Sequence, residues 1–182
     1  MIEVIKKGLE TSVQDYPGRV GFLNQGFPPS GPMDSWSFRL ANLLVSNNPN
    51  EGALECQFMG PSLKFESEHV IAICGADMQP KVDGQSIPLW ESILVKAGQV
   101  LELNFCLNGA RTYIAFSGGI DIPSWLNSKS TFHKAGVGGV DGHAIQEGQK
   151  IFLGKSHGVF GKRVKSEAIP EISKSGLWEI EV

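Results

Sequence analysis

No apolar run in this chain approaches the roughly 18 residues of a membrane-spanning helix, so no membrane-embedded role is expected. An excess of basic charge is also missing. Sixteen Lys and Arg stand against 19 Asp and Glu, a net charge of −3, which argues against a nucleic-acid or anionic-membrane surface. Cysteine is scarce: Cys56, Cys74 and Cys106. An odd count with no CxxC pair, each member inside an apolar stretch, reads as buried reduced thiols. Nothing adjacent would stabilise a thiolate. His69, His133, His143 and His157 show neither HxH nor HExxH spacing, so no metal site is expected. The first residues lack the basic-then-apolar order of a signal peptide, and a cytoplasmic location is expected.

What is abundant is glycine, 22 of 182 residues, and with it turns. A chain of this length buries roughly 70% of its unfolded surface, enough for one domain without staples. Short strand-like runs dominate. Residues 2–5 are apolar and β-branched. Leu54, Cys56 and Phe58 alternate with Glu55 and Gln57, a period of two that turns one face inward. Residues 70–74 form a continuous apolar run, expected as a strand buried on both faces. Asp83-Gly84 is a two-residue hairpin signal. Residues 100–107 place Leu101, Leu103 and Phe105 on one apolar face, and residues 111–116 and 149–153 follow as further strands. Turns at this rate predict a mainly β sandwich or barrel.

One segment departs from that pattern. Met33, Trp36, Ser37, Leu40, Ala41 and Leu44 recur at helical spacing, and Asn47-Asn48-Pro49 stops the run. The spacing predicts one amphipathic helix over residues 32–46, with Gly31 and Pro32 as N-cap and N1 and Asp34 in the first turn. A place at the open end of a barrel, shielding a sheet edge, would bury its stripe.

Residues 26–34 gather the densest set of unusual residues. They read either as a plain helix entrance or as backbone N–H groups presented to a carboxylate, carbonyl or phosphate. Ser30 lacks the GxSxG frame of an activated serine. Asp77 and Asp121 each follow a strand and a glycine. Each reads as a turn-forming Asp, or the two could join Asp34 around one barrel mouth. Residues 128–131 crowd hydroxyls around Lys129 ahead of four glycines. Because the order is not GxxxxGK[ST], a surface loop is the preferred reading over a phosphate loop. Residues 154–176 read as a linker or mobile arm. The alternation in residues 177–182 marks a strand, either opening a second unit or returning to the first sheet.

The segments TSVQDYPGR (11–19), GFPPSGPMDS (26–35), FRLAN (38–42), LECQFMGPSLKF (54–65), GADM (75–78), AGQVLEL (97–103), RTYIAFSGGIDIP (111–123) and STF (130–132) occur in an order that resembles the allophanate hydrolase subunit 2 family. That family is also described as KipA-like, or as the C-subunit of 5-oxoprolinase, and it forms part of the carboxyltransferase region of urea carboxylase. The match covers residues 2–153, and its motifs lean toward the urea-carboxylase branch. The resemblance implies a cyclophilin-like β-barrel with one helix over residues 1–153, the N-terminal half of a complete subunit.

It further implies a component that binds no cofactor directly, served by carboxybiotin on a partner domain and by ATP in the full system. The implied partners are a KipI-like subunit 1 and the biotin carboxylase and biotin carrier domains. The implied activity is carboxyl transfer to urea or a similar small amide, with no turnover by the chain alone. The alternatives are a component of ATP-dependent 5-oxoprolinase and a regulatory module that antagonises a KipI-like kinase inhibitor. Candidate substrate-binding residues carried over by motif are Ser30, Asp34, Asp77, Asp121, Ser130 and Thr131, none assigned as acid, base or nucleophile. Lys129 and His143 depart from positions where relatives carry Arg, which would weaken a bidentate clamp there.

Overall fold

Residues 1–171 are described by a computed structural model. Their alternating apolar residues build β1 (Ile2–Lys6), β2 (Glu10–Gln14), β3 (Ala53–Gln57), β4 (Ser62–Phe65), β5 (His69–Gly75), β6 (Lys81–Val82), β7 (Gln85–Ser86), β8 (Ser92–Val95), β9 (Val100–Glu102), β10 (Arg111–Phe116) and β11 (Lys150–Ile151). A single α-helix among these residues, α1, spans Ser35–Leu44. Every strand pairing is antiparallel. One sheet runs β11-β1-β4-β9-β6-β7 and the other β2-β3-β10-β5-β8. The fold is mainly β with one amphipathic helix, as the residue pattern predicts. No helix of the described residues is long and apolar enough to cross a membrane.

The two sheets face each other across one core. Ile2, Val4, Leu63, Phe65 and Leu101 of the first sheet meet Val13, Leu54, Cys56, Ile71, Ile73, Ile114 and Phe116 of the second. The opposite face of the second sheet carries the alternate residues, Ala53, Val70, Ala72, Cys74, Tyr113 and Ala115, and these pack against Phe38, Ala41 and Leu44 of α1. All seven residues of β5 are therefore buried, in agreement with the unbroken apolar run. Asp83 and Gly84 both take positive φ, 49° and 79°, as the two-residue turn between β6 and β7 requires.

Three local expectations are corrected. The helix does not stopper an open end or cover an edge; it lies over the central strands β5 and β10. It also starts later than its periodicity suggests, with Asp34 as N-cap. Asp34 Oδ1 accepts from the backbone N–H of Trp36 at 3.1 Å and of Ser37 at 3.0 Å, so Gly31 caps nothing. The reason is that Met33 and Asp34 give their N–H groups to the sheet side chains Glu55 and Tyr113. Finally, Phe105 is 63% exposed, although Leu101 and Leu103 are buried. Beyond Glu102 the ladder survives only as a single bridge between Met59 and Phe105, and the alternation lapses there.

Within residues 154–171, expected as a linker, residues 161–164 pair with residues 90–92 at the start of β8. Ser92 N–H donates to Lys162 O at 2.8 Å, Gly161 N–H to Ser92 O at 2.7 Å, and Trp36 Nε1 to Ala168 O at 2.8 Å. The strand expected over residues 177–182 lies outside the described residues.

Candidate functional site

The helix covers only the β5–β10 side of the outer face of the second sheet. Toward β2 and β3 that face stays partly open, and its residues are polar. Ser12 stands opposite Glu55, and Glu55 opposite Tyr113. Because side chains alternate along a strand, Glu10 and Gln14 share the face of Ser12. Two loops wall this surface, one through Ser30 and Gly31 and one through Thr131, Phe132, His133 and Lys134. With Arg111 they enclose a groove of about 330 Å³.

Glu55 is the hub. Its Oε2 accepts from Met33 N–H and from the Tyr113 hydroxyl, each at 2.8 Å, and Arg111 Nε lies 3.9 Å from Oε1. The Tyr113 hydroxyl in turn accepts from Asp34 N–H at 2.7 Å. Burial first, then the adjacent charge of Glu55, pushes the Tyr113 phenol well above its ordinary range, so it serves as a fixed donor. Gln14 spans the floor, donating to Ser12 Oγ and accepting from Gly31 N–H, both at 3.0 Å. At the rim His133 Nε2 lies 3.4 Å from Glu10 Oε1. The result is one oriented carboxylate beside a guanidinium, with Lys134 and His133 at the mouth.

Behind this groove the segment 128–131 holds an anion, and the anion belongs to the protein. The Asp15 carboxylate accepts from Ser128 Oγ and Ser130 Oγ at 2.6 Å and from Lys129 N–H at 2.7 Å. The segment is thus closed on an internal carboxylate, and Ser128, Ser130 and Thr131 are buried where a surface loop was expected. Lys129 Nζ is held by Glu51 at 2.7 Å and by Ile120 O at 2.8 Å, so it offers no clamp. His143 is exposed.

Of the six carried-over candidates, Ser30 and Thr131 line the groove. Asp34 reaches it only through its backbone, because its side chain caps α1 and also bonds Ser37 Oγ. Ser130 is buried against Asp15. Asp77 turns its carboxylate onto Gln79 N–H at 2.7 Å, and Asp121 is exposed. The barrel-mouth grouping of Asp34, Asp77 and Asp121 does not form. Asp77 follows the end of β5 and Asp121 the end of β10, and these antiparallel neighbours end on opposite sides of the sheet. Sequence reasoning missed Ser12, Gln14, Glu55 and Arg111. The outward alternation of Glu55 was visible, whereas the register that sets three strands side by side was not.

The sequence matches the family described as carboxyltransferase domain, subdomain A and B, over residues 25–182. It is 42% identical to urea amidolyase of Saccharomyces cerevisiae over 186 residues, covering 100% of this chain and 10% of that protein. It is 37% identical to the 5-oxoprolinase C-subunit of Escherichia coli over 156 residues, 86% of this chain and 50% of that one. The crystal structure of Kluyveromyces lactis urea carboxylase superposes with a TM-score of 0.90 at 39% identity, covering 95% of this chain and 16% of that chain. The chain thus spans from a tenth to a half of the length of these relatives.

Proposed function

Because the chain belongs to the family of carboxyltransferase domains, subdomain A and B, we propose that it is one wall of a carboxyltransferase that moves a carboxyl group onto urea or a similar small amide. The observation that carries this reading is the Glu55–Arg111 pair set in a groove of the family fold. A carboxyl-transfer site needs an acceptor for the amide N–H and cationic donors for carboxyl oxygens. Met33 and Tyr113 hold one oxygen of Glu55. Its second oxygen is left to orient an amide nitrogen, with Arg111 beside it.

A carboxylated biotin carried by a partner domain would supply the carboxyl group. Arg111 and Lys134 would offer donors to its carboxyl oxygens, in a groove that also holds the carboxylates of Glu10 and Glu55. ATP would be used by other parts of the system. The partners are a subunit-1-type chain together with biotin carboxylase and biotin carrier domains. The urea branch is favoured over 5-oxoproline by the higher identity to urea amidolyase across the whole chain.

The test is to join this chain to the second half of a subunit-2-type chain, combine it with those partners and supply ATP and labelled bicarbonate. Urea-dependent incorporation of label is expected, with none from the chain alone. Turnover with 5-oxoproline and not urea would replace this reading with the oxoprolinase one.

A further inference from the structure

The groove has two walls on separate loops, and one residue touches both. Arg19 is fully buried. Its backbone N–H donates to Pro29 O at 2.6 Å, next to the groove residues Ser30 and Gly31. Its side chain reaches the other wall, where Nη2 donates to Ser130 O at 2.6 Å, next to the groove residue Thr131. The guanidinium lies 4.9 Å from the centre of the Trp125 ring, and Trp125 meets Phe27 edge-on at 4.8 Å. Phe27 belongs to the first wall's loop and Trp125 to the second's. The contact is close enough that a Cβ at position 138 would lie 2.0 Å from Ser130 O and 2.8 Å from Arg19 Nη2, so Gly138 is required.

Stability alone does not account for such a residue. Nε and Nη1 make no hydrogen bond among the described residues, and Asp15, the anion nearby, is already enclosed by Ser128, Lys129 and Ser130. A buried guanidinium in this state is a poor way to stabilise a core, where an apolar side chain of similar length does as well or better. We infer that Arg19 is a positioning residue that sets the width of the groove by tying its two walls together. Its link to substrate rests on the carboxyl-transfer reading of the groove; the tie itself does not.

Two measurements separate these. In the 182-residue chain, Arg19→Met should speed amide exchange of Gly31 and Thr131 by about tenfold or more, with Ile73 and Ile114 in the central strands changed by less than about twofold. Arg19→Lys, which keeps a donor but loses the planar stack on Trp125, should fall between, and it serves should the Met variant not fold. Wall amides that keep their protection, or a loss spread equally over walls and central strands, would overturn the tie. In the assembled carboxyltransferase, Arg19→Lys should raise KM for the small amide about tenfold with kcat nearly unchanged. Loss of wall protection with KM unmoved would refute the groove as the substrate surface while leaving the tie intact.

Discussion

Tyr113 and Glu55 face each other across β10 and β3, and the phenol proton is given to Glu55 Oε2 at 2.8 Å. Through its own hydroxyl oxygen Tyr113 receives Asp34 N–H, so one hydroxyl joins the helix entrance to the floor of the groove. A buried hydroxyl that both donates and accepts fixes its neighbours more firmly than either bond alone.

Tyr113→Phe tests this join. It removes one partner each from Asp34 N–H and Glu55 without altering the edge-to-face contact of ring 113 with Phe38 at 5.7 Å. The expected loss is about 1–3 kcal/mol, read as a lower guanidinium chloride midpoint at unchanged slope. A loss under about 0.5 kcal/mol would place the hydroxyl among ordinary surface groups.

His69 gives the fold a defined acid limit. The ring is buried, and its Nε2 donates to Ser117 O at 2.7 Å. Desolvation lowers its pKa in the folded chain, against the opposing pull of that carbonyl. The unfolded chain therefore takes up the proton first. The contribution of His69 is complete above the ordinary value of about 6.5 and is lost as pH falls through the lower folded value, by at most about 1.4 kcal/mol per pH unit. Thermal melts should show Tm level near neutrality and falling in this acid window, with the fall reduced in His69→Gln. An equal fall in the variant would assign the acid limit to other groups.

The thiols should divide by burial. Burial pushes Cys56 up to about 12 and raises Cys74 as well, whereas Cys106 is only half-buried, its Sγ 3.2 Å from Gly109 O. A thiol reagent at about pH 8 should therefore modify one of the three cysteines quickly in the native chain, and Cys106→Ser should abolish that phase. Fast reaction of Cys56 or Cys74 would mean that the core opens on the reagent's timescale.

Much of this fold was legible in the residues and much of the site was not, for physical reasons. The run 70–74, the alternation around Glu55, the Asp83-Gly84 turn and the stripe of α1 are local patterns, and local patterns specify strands, turns and helices. The placement of α1 over β5 and β10 depends on which sheet face is left apolar, and that follows only from pairing. The groove depends on register twice, since Ser12, Glu55 and Tyr113 come from three strands. Asp77 and Asp121 drew notice because each follows a strand and a glycine, yet antiparallel pairing sends them apart. The loop 128–131 reads in the sequence as a surface loop; that Ser128 and Ser130 are buried against Asp15, more than a hundred residues earlier, is visible only in the fold.

If Glu55 orients an amide nitrogen beside Arg111, the most direct measurement is Glu55→Gln in the assembled carboxyltransferase. The substitution keeps the size of the side chain and an oxygen for Met33 and Tyr113, but removes the charge that faces Arg111. Urea-dependent carboxylation, followed as labelled bicarbonate fixed per unit time, should fall in kcat/KM on the order of 100-fold with assembly intact. Undiminished urea-dependent carboxylation by Glu55→Gln would contradict that role and move the chemistry away from this groove.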